Sequence, residues 1–260
     1  VASALILGFK GFLTQDLKQK FSSSGAMHIL AVSGLHVGII YFFFHYLLLF
    51  MDLHKRSRVL KTIIILFILA GYAFLTGLSP SVSRATLMFS ILAIGNTLRR
   101  DSSIYNSLAF SAFILLFFNP LLAFSVGFQL SYLAVLAIVF FQPRIYKLVS
   151  LPPIPDKLWQ WFTVAVAAQI GTAPLTIHYF HQFSNYFWIT NFFAIPAATF
   201  IIILGILFFT VEPLSIMAGK GLAWVLNKTL FALNYLIDGV NQLPFQVSEG
   251  LWFDKVQVLV

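Results

Sequence analysis

The sequence predicts an all-α fold, a polytopic helical bundle built into a membrane, and three observations carry that reading. Of its 260 residues, 60% are hydrophobic and only 9% are charged. A water-soluble globule carries roughly 25% charged residues, so a soluble domain is excluded. The mean hydropathy of +0.92 and the 30 Phe agree, because a soluble core of this size cannot enclose so much apolar side chain. The apolar residues also fall in blocks close to the roughly 20 that a helix needs to cross a bilayer. Cysteine is absent, which removes disulfides, thiolate nucleophiles and Cys-ligated zinc. The formal charge of +8 favours an anionic partner, although basic loops also serve topology.

Residues 1–26 come first. There LILGFKGFLTQDLKQKF has an apolar and a basic side and reads as an amphipathic segment along the outer interface. Its Lys10, Lys18 and Lys20 are outer basic contacts, either for lipid headgroups or for an anionic cargo. No basic start followed by a short apolar run and a cleavage site marks a removable signal peptide. Residues 27–260 form the membrane domain, with about eight candidate segments. They run from Met27 to Phe50, Thr62 to Leu78, Val82 to Leu98, Ile104 to Phe118, Phe124 to Phe141, Leu158 to Tyr179, Phe187 to Val211 and Leu214 to Ile237. Ile104 to Phe118 is short, and Leu214 to Ile237 holds Lys220, Asn227, Lys228 and Asn234, so both are also compatible with re-entrant or interfacial pieces. The start at Val1 and the strand-like alternation of the final DKVQVLV suggest a segment of a larger polypeptide.

Loop charges orient the segments, because Lys and Arg in short loops collect on the cytoplasmic side. Lys55, Arg56, Arg58 and Lys61 fall in one loop, Arg99 and Arg100 two crossings later, and Arg144, Lys147 and Lys157 two crossings after that. The alternate connections, 79–81, 119–123 and 180–186, contain neither Lys nor Arg, which fits the outer side.

Polar groups within the hydrocarbon are costly and face protein or a water-filled space. On the first segment, His28, Ser33 and His36 project at about 0°, 140° and 80° around a helix, one stripe beside Gly34 and Gly38. Ser125, Gln129 and Tyr132 share a face of the fifth segment, and Gln169, Thr172 and Thr176 share one of the sixth. Arg84 is the sharpest single residue: it lies near a segment end with no acidic neighbour in the pattern, and its planar fork suits phosphate. The competing reading has it binding carbonyls at the broken Ser79-Pro80 turn or a lipid phosphate. Pro80, Pro120, Pro174, Pro196 and Pro213 lie within or between apolar segments, where they break or end helices, and broken membrane helices persist only in contact with protein or a cavity.

Catalytic readings are weaker. Ser33 and His36 are three apart on one helix with no carboxylate to orient the imidazole. His178 and His181 lack a third ligand, the eight acidic residues are scattered, and no phosphate-binding GxxxxGK[ST] loop is present. Neither an enzyme nor a cofactor or metal is expected.

Four stretches together resemble the transmembrane competence domain of the ComEC family of bacterial DNA-uptake proteins. They are His28-Ile-Leu-Ala-Val-Ser-Gly-Leu-His-Val-Gly38, Thr76-Gly-Leu-Ser-Pro-Ser-Val-Ser-Arg-Ala-Thr-Leu-Met88, Ser125-Val-Gly-Phe-Gln-Leu-Ser-Tyr-Leu-Ala134, and Ala168-Gln-Ile-Gly-Thr-Ala-Pro-Leu-Thr-Ile-His-Tyr-Phe180 followed by Asn191-Phe-Phe-Ala-Ile-Pro196. The resemblance implies a multi-pass protein of the bacterial inner membrane that passes single-stranded DNA inward. Other uptake components are its implied partners, and a second copy of the chain remains open. It marks His28, Ser33, Gly34 and His36, then Ser79, Pro80, Ser81 and Arg84, then Gly127, Gln129 and Ser131, then Gln169, Pro174 and Asn191. Family members often add OB-like and metallo-β-lactamase-like domains, and the nuclease-like part lies outside this segment. A single strand needs a groove that offsets phosphate charge and surfaces for its bases; Arg84 and the outer lysines supply the first, with Tyr132 or Tyr41 as stacking candidates. His36, Gln129 and Gln169 are expected to border one shared cavity or polar cluster. Two other classes stay open, a broken-helix transporter of small anions or metabolites and a structural membrane scaffold. No convincing internal repeat supports the transporter.

Overall fold

The computed structural model describes every residue except 1, 9, 10, 12, 31, 99–102 and 252–260. Two short helices open it, α1 (Ala2–Leu7) and α2 (Gln15–Ser23), followed by the single turn α3 (Met27–Leu30) and α4 (Gly34–Leu47). Then come α5 (Lys55–Leu75), α6 (Pro80–Leu98), α7 (Ile104–Phe118), α8 (Val126–Tyr146), α9 (Pro153–Phe180), α10 (Phe187–Val211) and α11 (Ile216–Asn241). Strand β1 (Gln182–Ser184) pairs antiparallel with β2 (Val247–Glu249), Gln182 opposite Glu249. The strand-like DKVQVLV tail lies outside the described residues after Leu251.

Local chemistry sets the helix starts. The Thr14, Ser125 and Ser215 hydroxyls accept from the N–H groups of Leu17, Phe128 and Ala218, which satisfies one donor of each first turn. Pro80 opens α6, where its missing N–H has no intrahelical acceptor to lose. Between α5 and α6 the chain turns through left-handed backbone at Gly77 (φ 78°) and Leu78 (φ 52°), with the Leu78 N–H closing on the Ala73 carbonyl at 2.9 Å.

Three clusters form the interior. Ala4 and Leu5 of α1, Phe21 of α2 and Ile29 and Leu30 of α3 pack against Ala194, Ala198 and Ile201 of α10 and Leu233 and Ile237 of α11. Val37, Ile40 and Tyr41 of α4 meet Ile65, Leu69 and Ala73 of α5 and Val82, Ala85 and Ala93 of α6. A smaller group joins Leu108 of α7 to Phe128 and Tyr132 of α8. Where lipid replaces water, helix association depends on close packing, and small residues permit it. A Cβ on Gly205 would meet the Ile6 side chain at 2.5 Å, and one on Gly171 of α9 would collide with Ala137 of α8.

The outward faces are apolar. On α5, Ile65, Leu69 and Ala73 point inward while Phe67 (77% exposed), Phe74 and Leu75 point outward. Among the described residues, three helices are long and apolar enough to cross a membrane: Arg56–Leu75, Val126–Tyr146 and Phe187–Val211. Gly34–Leu47 and Ile104–Phe118 are apolar but shorter. Of the about eight expected crossings, three are thus matched by continuous helices of sufficient length and apolarity among the described residues.

Two expectations about individual elements change. Met27 to Phe50 is not one helix: Val32 and Ser33 stand outside α3 and α4, with Ser33 extended at φ −123° and ψ 173°. The angles assigned to His28, Ser33 and His36 on a continuous wheel do not hold across that break. Conversely, Pro174 and Pro196 do not end their helices, because α9 and α10 run through them. The segment 1–26 is tied to the bundle, since the Tyr72 hydroxyl donates to the Ile6 carbonyl at 3.1 Å and the Asn241 amide donates to the Lys20 carbonyl at 2.9 Å.

Candidate functional site

The break before α4 gathers the polar residues that the sequence singles out. Ser33 is the N-cap of α4 and His36 its third residue, and the ring folds back so that the Ser33 N–H donates to His36 Nδ1 at 3.2 Å. This is the reciprocal half of a capping box with histidine in place of Glu or Gln. A backbone N–H can only donate, so Nδ1 accepts and the ring proton resides on Nε2. Ser33 Oγ lies 3.0 Å from the same Nδ1. His36 is fully buried, and its Nε2 makes no hydrogen bond among the described residues, although the Leu5 backbone approaches the ring.

Arg84 reaches this break from the second turn of α6. A Cβ on Gly34 would sit 3.0 Å from Arg84 Nη2 and 3.3 Å from the Ala85 methyl, so glycine lets the guanidinium lie close beside the first turn of α4 without displacement. Arg84 is 6% exposed and makes no hydrogen bond or ion pair among the described residues, with Nε fully enclosed. Among the described residues it lies against the Tyr132 ring, 5.6 Å away on α8, whose hydroxyl shares a 2.9 Å hydrogen bond with Ser111 of α7.

Magnitudes decide what this arrangement lacks. Burying an ion costs several kcal/mol even after relaxation, and a desolvated cation–π contact offsets about 2. The N-terminus of α4 carries roughly +0.5 of a charge and repels the guanidinium. The cation and the helix end both favour one kind of occupant, a small or linear anion such as a phosphate group.

The remaining residues divide around this centre. Ser131 donates to Ser81 at 3.3 Å, a second rung of the α6–α8 contact one turn from Arg84. Ser79 is half-buried, and its hydroxyl oxygen is enclosed with no partner among the described residues. Gln129 belongs to another cluster: its amide donates to the Ala123 carbonyl at 2.8 Å and accepts from the Tyr179 hydroxyl at 2.8 Å. Gln169 makes no hydrogen bond among the described residues, so His36, Gln129 and Gln169 do not share one hydrogen-bonded cluster. Asn191 is buried on α10 with Oδ1 unpartnered, and His28 is exposed on α3. Tyr41 and Tyr132, named above as stacking surfaces, are enclosed: Tyr41 is 1% exposed against Phe89 and His45, and Tyr132 packs on Phe128.

Of the outer basic contacts, Lys10 lies outside the described residues and Lys18 is half-buried on α2. Lys20 is committed to two carboxylates, Asp238 at 3.1 Å and Asp16 at 3.2 Å, which together hold its ammonium above the ordinary lysine range. At the other end of α4, Lys55 to Lys61 form the first turns of α5 where the sequence suggests a loop. The role of Gly34 as the space for Arg84 also escaped sequence reasoning. Its signal is the Gly34-x-x-x-Gly38 spacing, since a Cβ on Gly38 would meet Phe89 of the same α6 at 3.0 Å.

Fold and site define a helical membrane protein with an uncompensated buried cation at a helix break. The family model for Competence protein matches residues 5–260, and the chain belongs to that family, as the resemblance to ComEC implied. It is 31% identical over 205 residues to ComE operon protein 3 of Bacillus subtilis, covering 79% of this chain and 25% of that protein. It is 25% identical over 263 residues to Recombination protein 2 of Haemophilus influenzae, covering 96% of this chain and 31% of that one. The chain thus spans about a quarter to a third of these curated relatives. No solved structure matches it.

Proposed function

We propose that the chain is part of a multi-pass passage in the bacterial inner membrane that carries single-stranded DNA into the cytoplasm during natural transformation. The observation that carries this reading is Arg84, a buried guanidinium with no carboxylate or carbonyl partner among the described residues, facing the N-terminus of α4 across Gly34. A structural arginine tied to the Ser79-Pro80 turn would donate to its carbonyls, and Arg84 donates to none among the described residues. A phosphodiester entering at the break would bring one negative charge to the guanidinium and an acceptor to His36 Nε2. The strand then moves on, because a single charge-assisted contact of about 1.5–3 kcal/mol is weak enough to release it. Motive force comes from elsewhere, and the nuclease-like chemistry of the family belongs to a domain outside this segment. The membership in the Competence protein family and the name of the Bacillus subtilis relative support this placement in DNA uptake.

The enclosure of His36 and Arg84 also suits a small anion, so the test carries both arms. Arg84→Gln is expected to insert and melt like the parent while lowering uptake of labelled DNA roughly tenfold or more, the effect of losing one charged hydrogen bond. Arg84→Lys keeps the charge without the fork and retains part of the uptake. Uptake is measured in competent cells and normalised to membrane-inserted protein. Normal uptake by a well-folded Arg84→Gln removes this residue from the passage; phosphate flux that falls while DNA uptake holds favours the small-anion transporter.

A further inference from the structure

A second polar site lies at the far end of α4. A cavity of about 510 Å³ opens where α4 ends and α5 begins, lined by His45, Asp52, Arg58, Lys61, Asn96 and Thr97 among others. That volume falls in the range of small-ligand sites. Lys61 is only 3% exposed and pairs with Asp52 at 2.8 Å. Arg58 donates to the Asp52 main-chain carbonyl at 3.0 Å and has no carboxylate partner among the described residues. Among the described residues one carboxylate therefore faces two cations, an excess of one positive charge before His45 is counted.

The neutral groups point to the same class of ligand. The Thr62 and Thr97 hydroxyls touch each other while lying within reach of the Arg58 and Ala93 carbonyls, three contacts for two protons, so a hydroxyl can turn to a new acceptor at little cost. The Asn96 amide donates to the Tyr41 hydroxyl at 3.3 Å and adds another donor at the rim. Hydroxyls, an amide and a guanidinium around a net positive charge form a donor set for tetrahedral oxyanions.

We propose that this cavity binds a phosphate group, as free phosphate or as a phosphodiester of a nucleic-acid strand, with Arg58 and Lys61 as the charged contacts and the Thr62–Thr97 pair as neutral donors. The inference rests on the charge and shape of this cavity, and it stands whether or not Arg84 meets DNA at the opposite end.

The naturally Cys-free chain allows a direct test. Thr97→Cys, purified in detergent, is reacted with an anionic and a cationic thiosulfonate, and each rate is divided by that of a free thiol in solution. The normalised anionic rate should exceed the cationic one by roughly tenfold, as expected for one unscreened charge nearby. Arg58→Gln should collapse that ratio, and Asp52→Asn should raise it. Inorganic phosphate or a short single strand should slow the labelling: protection by phosphate alone assigns a small-anion site, and protection by the strand assigns a strand contact. Should Thr97→Cys reduce the yield, Thr62→Cys reports on the same cavity. A cationic preference, or no protection by either ligand, overturns the proposal.

Discussion

Residue by residue, the chemistry at the break was half legible. Arg84 stood out because the chain has only eight acidic residues, none spaced to reach it, and the fold leaves it without an ion pair among the described residues. The conformation of Ser33 was hidden, because helical angles assume a continuous helix and say nothing of a residue that leaves it. The overlooked signal is a serine three residues before a side chain that can accept, followed at once by glycine, which is a helix start placed inside an apolar run. This gives His36 two separable roles. His36→Gln can still accept from the Ser33 N–H, as glutamine does in a capping box, so thermal stability in detergent should hold while DNA uptake falls because the amide donor is displaced from the place of the ring Nε2–H. His36→Leu leaves that N–H buried and unpaired, so it should also lose about 1–3 kcal/mol of stability. Equal melting of the two variants would remove the capping role.

At the scale of elements, proline was a mixed guide: Pro80 opens α6, and Pro120 and Pro213 fall between α-helices. Pro174 and Pro196 remove one backbone donor each, yet neighbouring helices hold α9 and α10 continuous; the interruption falls at Ser33, where no proline stands. The residues read as a basic loop, Lys55 to Lys61, form the start of α5, and the outer connection at Gln182 forms β1. The positive-inside argument therefore gives an element-level prediction. Ser57→Cys should resist a membrane-impermeant thiol reagent in intact cells, while Glu249→Cys, on the strand paired with Gln182, should label from outside. The reverse pattern inverts the orientation and moves Arg84 to the inner face.

For the whole molecule, the membrane class and the family were legible from composition and four motifs, since both depend on residue types alone. The number of crossings was not, because hydropathy counts apolar residues without seeing where a helix stops. A helix of 14 residues such as α4 is about 21 Å long, short of a hydrocarbon core of roughly 30 Å, and reaches across only with the chain on either side of its break. That shortfall places the N-terminus of α4, and with it Arg84, inside the bundle, where a passing phosphate would need them. The contact between strand and site can be captured in transit. Ser81→Cys lies beside Arg84 on the α6–α8 contact, and Phe67→Cys lies on the outward face of α5. Competent cells carrying each variant are given labelled DNA whose backbone bears a thiol-reactive group, and the protein is then recovered and scored for attached label. Attachment at Ser81→Cys, absent from Phe67→Cys and reduced when Arg84→Gln is added, is the expected result; label at Phe67→Cys with none at Ser81→Cys, in cells that still take up DNA, would contradict a passage lined by Arg84.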